Sequence, residues 1–207
     1  MHAKQHQESA AVATGGAGPC LGCNLSRRCV QAAPQPTWGQ QNYDEDRTVT
    51  QRIDYQKQAP ELFRGLVALN TQVKQSGLEE SICDLVDIRA SQLNGCGFCL
   101  DMHVKQAVLH GERPLRLHHV AIWRESTLFS PRERAALAWT EALTQLSPQG
   151  VSDEIYERVR TQFSEKELTD LTYAVMAINA WNRINVGFRA VPGSFDKAFG
   201  LDKAGLA

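Results

Sequence analysis

Three features of the sequence predict an all-α fold. Apolar residues recur at helical spacing almost without interruption after Tyr55, and two serine capping boxes precede apolar runs. No stretch alternates apolar and polar residues as a half-buried strand does. A chain of 207 residues can bury a real core, so one compact multi-helix domain over 45–207 is expected. Residues 1–44 are rich in Ala, Gly, Gln and Pro without an apolar period, and read as a flexible N-terminal extension.

The elements follow in order. Pro60 opens a helix carrying Leu62, Leu66, Leu69 and Val73, ended by Gly77. A second helix runs from about Glu79 to Leu93, with Ile82, Leu85, Val86 and Ile88 as its buried stripe. Asn94-Gly95 breaks it, and a third helix begins there and stops near Gly111. Pro114 to Trp123 forms a shorter helical stretch. Ser130-Pro-Arg-Glu133 is a capping box with Pro at the first helical position, opening a helix to about Leu146. Ser152 caps the next helix, which ends near Phe163. Ser164-Glu-Lys-Glu167 is a second capping box and starts a long apolar helix through Trp181 to about Gly187. One internal similarity stands out: Glu79-Glu-Ser-Ile-Cys-Asp-Leu85 matches Glu165-Lys-Glu-Leu-Thr-Asp-Leu171. That register sets Asn182, Asn185 and Arg189 against Cys96, Cys99 and His103, so a second copy would carry no thiols.

Composition narrows the function. The net charge of −1 gives no electrostatic case for nucleic acid or an anionic membrane surface. No apolar run approaches the roughly 20 residues that span a bilayer. The first residues lack the apolar core of a secretory signal, so a cytoplasmic location is expected. In a reducing compartment a CxxC is redox-active or metal-binding more often than structural.

The chemistry concentrates in Asn94-Gly-Cys96-Gly-Phe-Cys99-Leu-Asp-Met-His103. Cys96 is expected in the first helical turn and Cys99 near its N3 position, where free N–H groups and the helix dipole favour a thiolate. His103, one turn beyond Cys99, shares its face and can take its proton or stabilise its anion. A histidine in that role needs an orienting carboxylate. Asp101 points away from this face, whereas Asp84 on the preceding helix turns toward partner helices across a short antiparallel hairpin.

The run from Asp84 to His103 (an acid, eleven residues, CxxC, three residues, His) resembles the core motif of the alkylhydroperoxidase D-like proteins of the carboxymuconolactone decarboxylase superfamily. Phe129-Ser-Pro-Arg-Glu-Arg-Ala-Ala-Leu-Ala and Ile178-Asn-Ala-Trp-Asn-Arg-Ile-Asn are similar to downstream stretches of one branch, and the likeness covers roughly 47–193. The resemblance implies an all-helical obligate oligomer, commonly a trimer or hexamer, that reduces hydroperoxides through its thiols without a bound cofactor. It implies Cys99 as the attacking thiol, Cys96 as the resolving one, and Asp84 with His103 as the proton relay. It also implies a dithiol electron donor, in the best-known members a lipoylated protein. Two departures bear on rate and substrate: the acid position usually holds Glu, one methylene longer than Asp84, and Phe98 stands where the best-known peroxidase has a histidine.

Other readings remain open at this stage. The dithiol could serve general thiol–disulfide exchange, or Cys96, Cys99 and His103 could supply three zinc ligands with Asp84 or Cys83 as a fourth, in a metal-binding or thiol-sensor module. Cys83 by itself reads as structural, and His118-His119 as a solvated helix edge. Trp181 packs the long helix or walls the thiol pocket. Cys20, Cys23 and Cys29 in the extension read as incidental, with metal binding or electron shuttling as the alternative.

Overall fold

The computed structural model describes residues 50–206, and the N-terminal extension with its three cysteines lies outside the described residues. The helices are α1 (Tyr55–Gln58), α2 (Pro60–Lys74), α3 (Glu80–Leu93), α4 (Gly97–Leu109), α5 (Pro114–His119), α6 (Pro131–Thr144), α7 (Asp153–Arg160), α8 (Glu165–Phe188) and α9 (Asp196–Phe199). Short 3-10 turns follow α5 and α9, at Val120–Ile122 and Leu201–Ala204. Among the described residues there is no strand, only a bridge between Ser147 and Gly150 that closes a turn. None of these helices is long and apolar enough to cross a membrane.

Both capping boxes form as the sequence predicts. Ser130 and Ser164 each accept from the backbone of Glu133 and Glu167, whose carboxylates reach back to the serine N–H. Each box satisfies two of the N–H groups a helix start leaves open. Elements α1 and α9, four residues each, are additions: they are too short to carry a period.

Helix α3 is the centre of the domain, packed against α4, α6 and α8. Ile82, Val86 and Ala90 face one apolar cluster with α8 and the thiols, while Leu85 and Ile88 face a second with Leu117, Val120, Trp123 and Leu137. Apolar residues on both faces explain why this helix is buried nearly all round, each large side chain contributing about 1.5–3 kcal/mol.

The α3–α4 hairpin turns at Asn94-Gly95, where Gly95 takes φ 62°, a left-handed conformation open to glycine at little cost. Asn94 fastens that turn to α8, its amide donating to Asn182 Oδ1 (2.8 Å) and Asn179 Oδ1 (3.0 Å). The matched stretches Glu79–Leu85 and Glu165–Leu171 both sit at helix starts, but α8 runs unbroken where α3 stops at Asn94. The two matched stretches therefore lead into different structures, a turn with the thiols after α3 and a continuing helix in α8.

Candidate active site

Cys96 is the N-cap residue of α4, one step before the expected first turn, and its sulfur accepts from the N–H of Cys99 at 3.4 Å. Cys99 takes the N3 position, and both thiols are free and buried. The cysteines differ sharply in proton affinity. Cys96 is lowered to about 7, first by the hydrogen bond from the Cys99 thiol, then, against burial, by N–H groups of Cys99 and Phe98 and the Asn182 amide. Cys99 is pushed well up, because its proton is held against Cys96 and its sulfur is desolvated. When the pair loses its first proton, the charge is favoured on Cys96.

Two residues that sequence reasoning did not assign to the site complete its thiol end. Asn185 Nδ2 donates to Cys99 Sγ at 3.2 Å, and the Tyr55 hydroxyl donates to Asn185 Oδ1 at 2.9 Å. The tyrosine thereby fixes which way the amide points and keeps its NH2 on the sulfur. The internal similarity had set Asn185 against Cys99 without indicating that the two touch.

His103 lies a turn past Cys99. Its Nδ1 is 3.1 Å from Gln106 Oε1 and 3.4 Å from Asp87 Oδ2. Both neighbours accept, so Nδ1 is the nitrogen that donates to them, and Nε2 lies on the other side of the ring. Among the described residues no hydrogen bond joins Cys99 to His103, although both line the same cavity.

The expected Asp84–His103 pair is not formed. Asp84 Oδ2 instead meets His110 Nδ1 at 2.8 Å, and His110 Nε2 lies 3.3 Å from Glu80. The cause is hairpin register. In an antiparallel pair, residues nearer the turn on one helix meet residues nearer the turn on the other, so Asp87 matches His103 and Asp84 matches His110. Burial raises the proton affinity of both Asp84 and Asp87, with His110 opposing it at Asp84 and His103 opposing it at Asp87.

A cavity of about 280 Å³ opens over Cys99 and His103. Tyr55, Phe63, Phe98, Met102, Trp181 and Phe195 give it largely apolar walls. Trp181 meets Phe63 edge-on at 5.9 Å, and Phe98 meets Phe195 edge-on at 5.7 Å. The C-terminal wall is fastened by Lys105, which is buried between Asp101 (2.8 Å) and Asp196 (2.7 Å), while Asp101 also accepts from the N–H of Gly193.

The remaining sequence candidates stand apart. Among the described residues no group of three His, Cys, Asp or Glu side chains is placed to hold a metal ion. Cys83 packs beside the core with its thiol pushed up to about 12, mainly by burial. His118 is exposed, and His119 bonds Ser126 Oγ at 3.0 Å.

With this geometry in hand, similarity to known proteins is informative. The profile of the carboxymuconolactone decarboxylase family matches residues 60–142. The Bacillus subtilis (strain 168) uncharacterized protein YdfG is 38% identical over 138 residues, covering 67% of this chain and 94% of that protein. The Escherichia coli (strain K12) uncharacterized protein YnjA is 34% identical over 112 residues, 54% of this chain and 61% of its own. Among solved structures, the Agrobacterium tumefaciens protein of unknown function ATU0492, for which an AhpD antioxidant defence role is suggested, is 42% identical. It superposes with a TM-score of 0.67 over 69% of this chain and 98% of that one. The debrominase Bmp8 shares the fold at a TM-score of 0.59 and 18% identity, over 72% and 79% of the two chains. The chain therefore belongs to the carboxymuconolactone decarboxylase family, in its alkylhydroperoxidase D-like group.

Proposed function

We propose that the protein is a thiol-dependent hydroperoxide reductase. The observation that carries this reading is a free CxxC pair at the start of α4 whose Cys99 lines a largely apolar cavity together with His103.

Cys99 lines the cavity and is the thiol that attacks. Its proton passes to the Cys96 thiolate, and its sulfur then bonds the distal peroxide oxygen. The O–O bond breaks, the departing alkoxide takes a proton from solvent by way of His103 Nε2 and leaves as alcohol, and Cys99 becomes a sulfenic acid. Asn185 donates to the Cys99 sulfur through this charge build-up. Cys96 then attacks the Cys99 sulfur, water leaves with the Cys96 proton, and a Cys96–Cys99 disulfide closes the cycle. An external dithiol, such as a lipoylated protein, supplies two electrons and two protons, one proton staying on the restored pair and the other replacing the one taken from solvent. Asp87 and Gln106 orient His103, the part first assigned to Asp84.

The test is dithiol consumption driven by cumene hydroperoxide. Wild type is expected to turn over, and Cys99→Ser to lose all of that turnover. Wild type that cycles its disulfide in a redox buffer but consumes no peroxide would instead be a general dithiol–disulfide oxidoreductase.

A further inference from the structure

We propose that the substrate of this site is an organic hydroperoxide with a compact apolar body and a carboxylate, the carboxylate held by Lys74 and Asn70. The assignment rests on the peroxidase reading above. Three observations lead to it.

The cavity is larger than hydrogen peroxide needs, and its largely apolar walls, with several aromatic rings, favour a substrate with an apolar body over a small polar one. At about 280 Å³ it sits near the lower end of ordinary ligand pockets, so that body is compact.

The charge along the wall is one-sided. Among the described residues that line the cavity, Lys74 is the sole Lys, Arg, Asp or Glu. Asp87, behind His103, senses the Lys74 charge but makes no ion pair with it. An anion entering here meets a cation and no lining carboxylate.

The third observation is the arrangement on α2. Asn70 and Lys74 are four residues apart and both line the cavity, so they stand side by side on one helix face. Among the described residues neither side chain has a hydrogen bond or ion pair. The last turn of a helix favours a lysine for its dipole alone. That preference explains the residue type but not an adjacent unpartnered amide on the same wall. An amide N–H2 and an ammonium one turn apart can each donate to one carboxylate oxygen. With the carboxylate at Lys74 and Asn70 and the apolar body among the rings, the peroxide end can lie toward Cys99 and His103, which line the same cavity.

The test compares three probes: cumene hydroperoxide, its para-carboxy derivative, and the methyl ester of that derivative. In wild type, kcat/KM for the carboxylate is expected to exceed that for the ester by about tenfold, a ratio that shrinks as salt is added because Lys74 is exposed. In Lys74→Gln the ratio is expected to fall to about one. Equal rates for acid and ester in wild type, or a ratio unchanged in Lys74→Gln, would overturn the assignment. Should wild type turn over none of the three, the peroxidase reading fails by itself. The carboxylate subsite is then judged by calorimetric titration of the para-carboxy cumyl alcohol against its methyl ester. Tighter binding of the acid by about tenfold, abolished in Lys74→Gln, supports the subsite; equal binding or none overturns it.

Discussion

Asn185 carries a role at the thiol pair that its residue type alone would not announce. Its amide is held by Tyr55 on one side and gives a hydrogen to Cys99 on the other, so it favours the charged sulfur. Ultraviolet titration of the thiols is expected to show one proton leaving with an apparent pKa of about 7, the thiolate present above that pH and lost below it. Asn185→Asp replaces a donor with an anion against the sulfur and is expected to move that titration upward and slow peroxide turnover by at least tenfold. Tyr55→Phe frees the amide to turn and is expected to give a smaller change of the same sign. An Asn185→Asp protein that titrates as wild type would show that the amide does not act on the pair. The sequence named Cys96, Cys99 and His103 because each lies about one helical turn from the next, where spacing decides geometry. Asn185 is distant in sequence and reaches the sulfur only because α8 packs on α4. No local pattern encodes that meeting.

At the level of elements, the capping boxes and the Asn94-Gly95 break placed α3, α4, α6 and α8 to within a few residues of their observed ends. Helix faces were legible too, and Asp84 is buried as its face implied. What a face cannot supply is axial register. Asp84 and Asp87 are three residues apart on the same side of α3, and only the height of the hairpin turn decides which one meets His103. The C-terminal wall was illegible for another reason. Phe195 and Phe199 lie in a segment too short to show a period, held by the Lys105–Asp101–Asp196 ion triad instead of by a helical stripe. Removing the cation leaves two carboxylates without their counter-ion. Lys105→Met is expected to loosen the segment, so that trypsin cleaves faster after Lys197 and Lys203 while cleavage within α2 to α8 is unchanged. Unchanged cleavage would mean that the aromatic contacts hold this wall without the triad.

For the molecule as a whole, the outer face of α8 leaves Tyr173, Met176 and Val186 about half exposed, on a helix whose inner face lies in the core. Apolar residues grouped on one side of a central helix suit a symmetric contact between copies. We therefore expect a trimer or hexamer in sedimentation equilibrium, and expect Tyr173→Glu with Met176→Glu to shift it toward smaller species. A wild-type monomer at working concentration would remove the basis for that expectation.

The cavity also divides its labour in an uneven way. Its floor, with Cys99 and His103, belongs to one hairpin of contiguous sequence. Its roof is gathered from Tyr55 and Lys74 ahead of that hairpin and from Phe195 and Phe199 far behind it. Reactivity and admission are thus written in separate stretches of the chain. Variation in the roof can retune which molecules reach the sulfur while the sulfur's own chemistry stays as it was, and a relative with the same CxxC turn need not share this protein's diet.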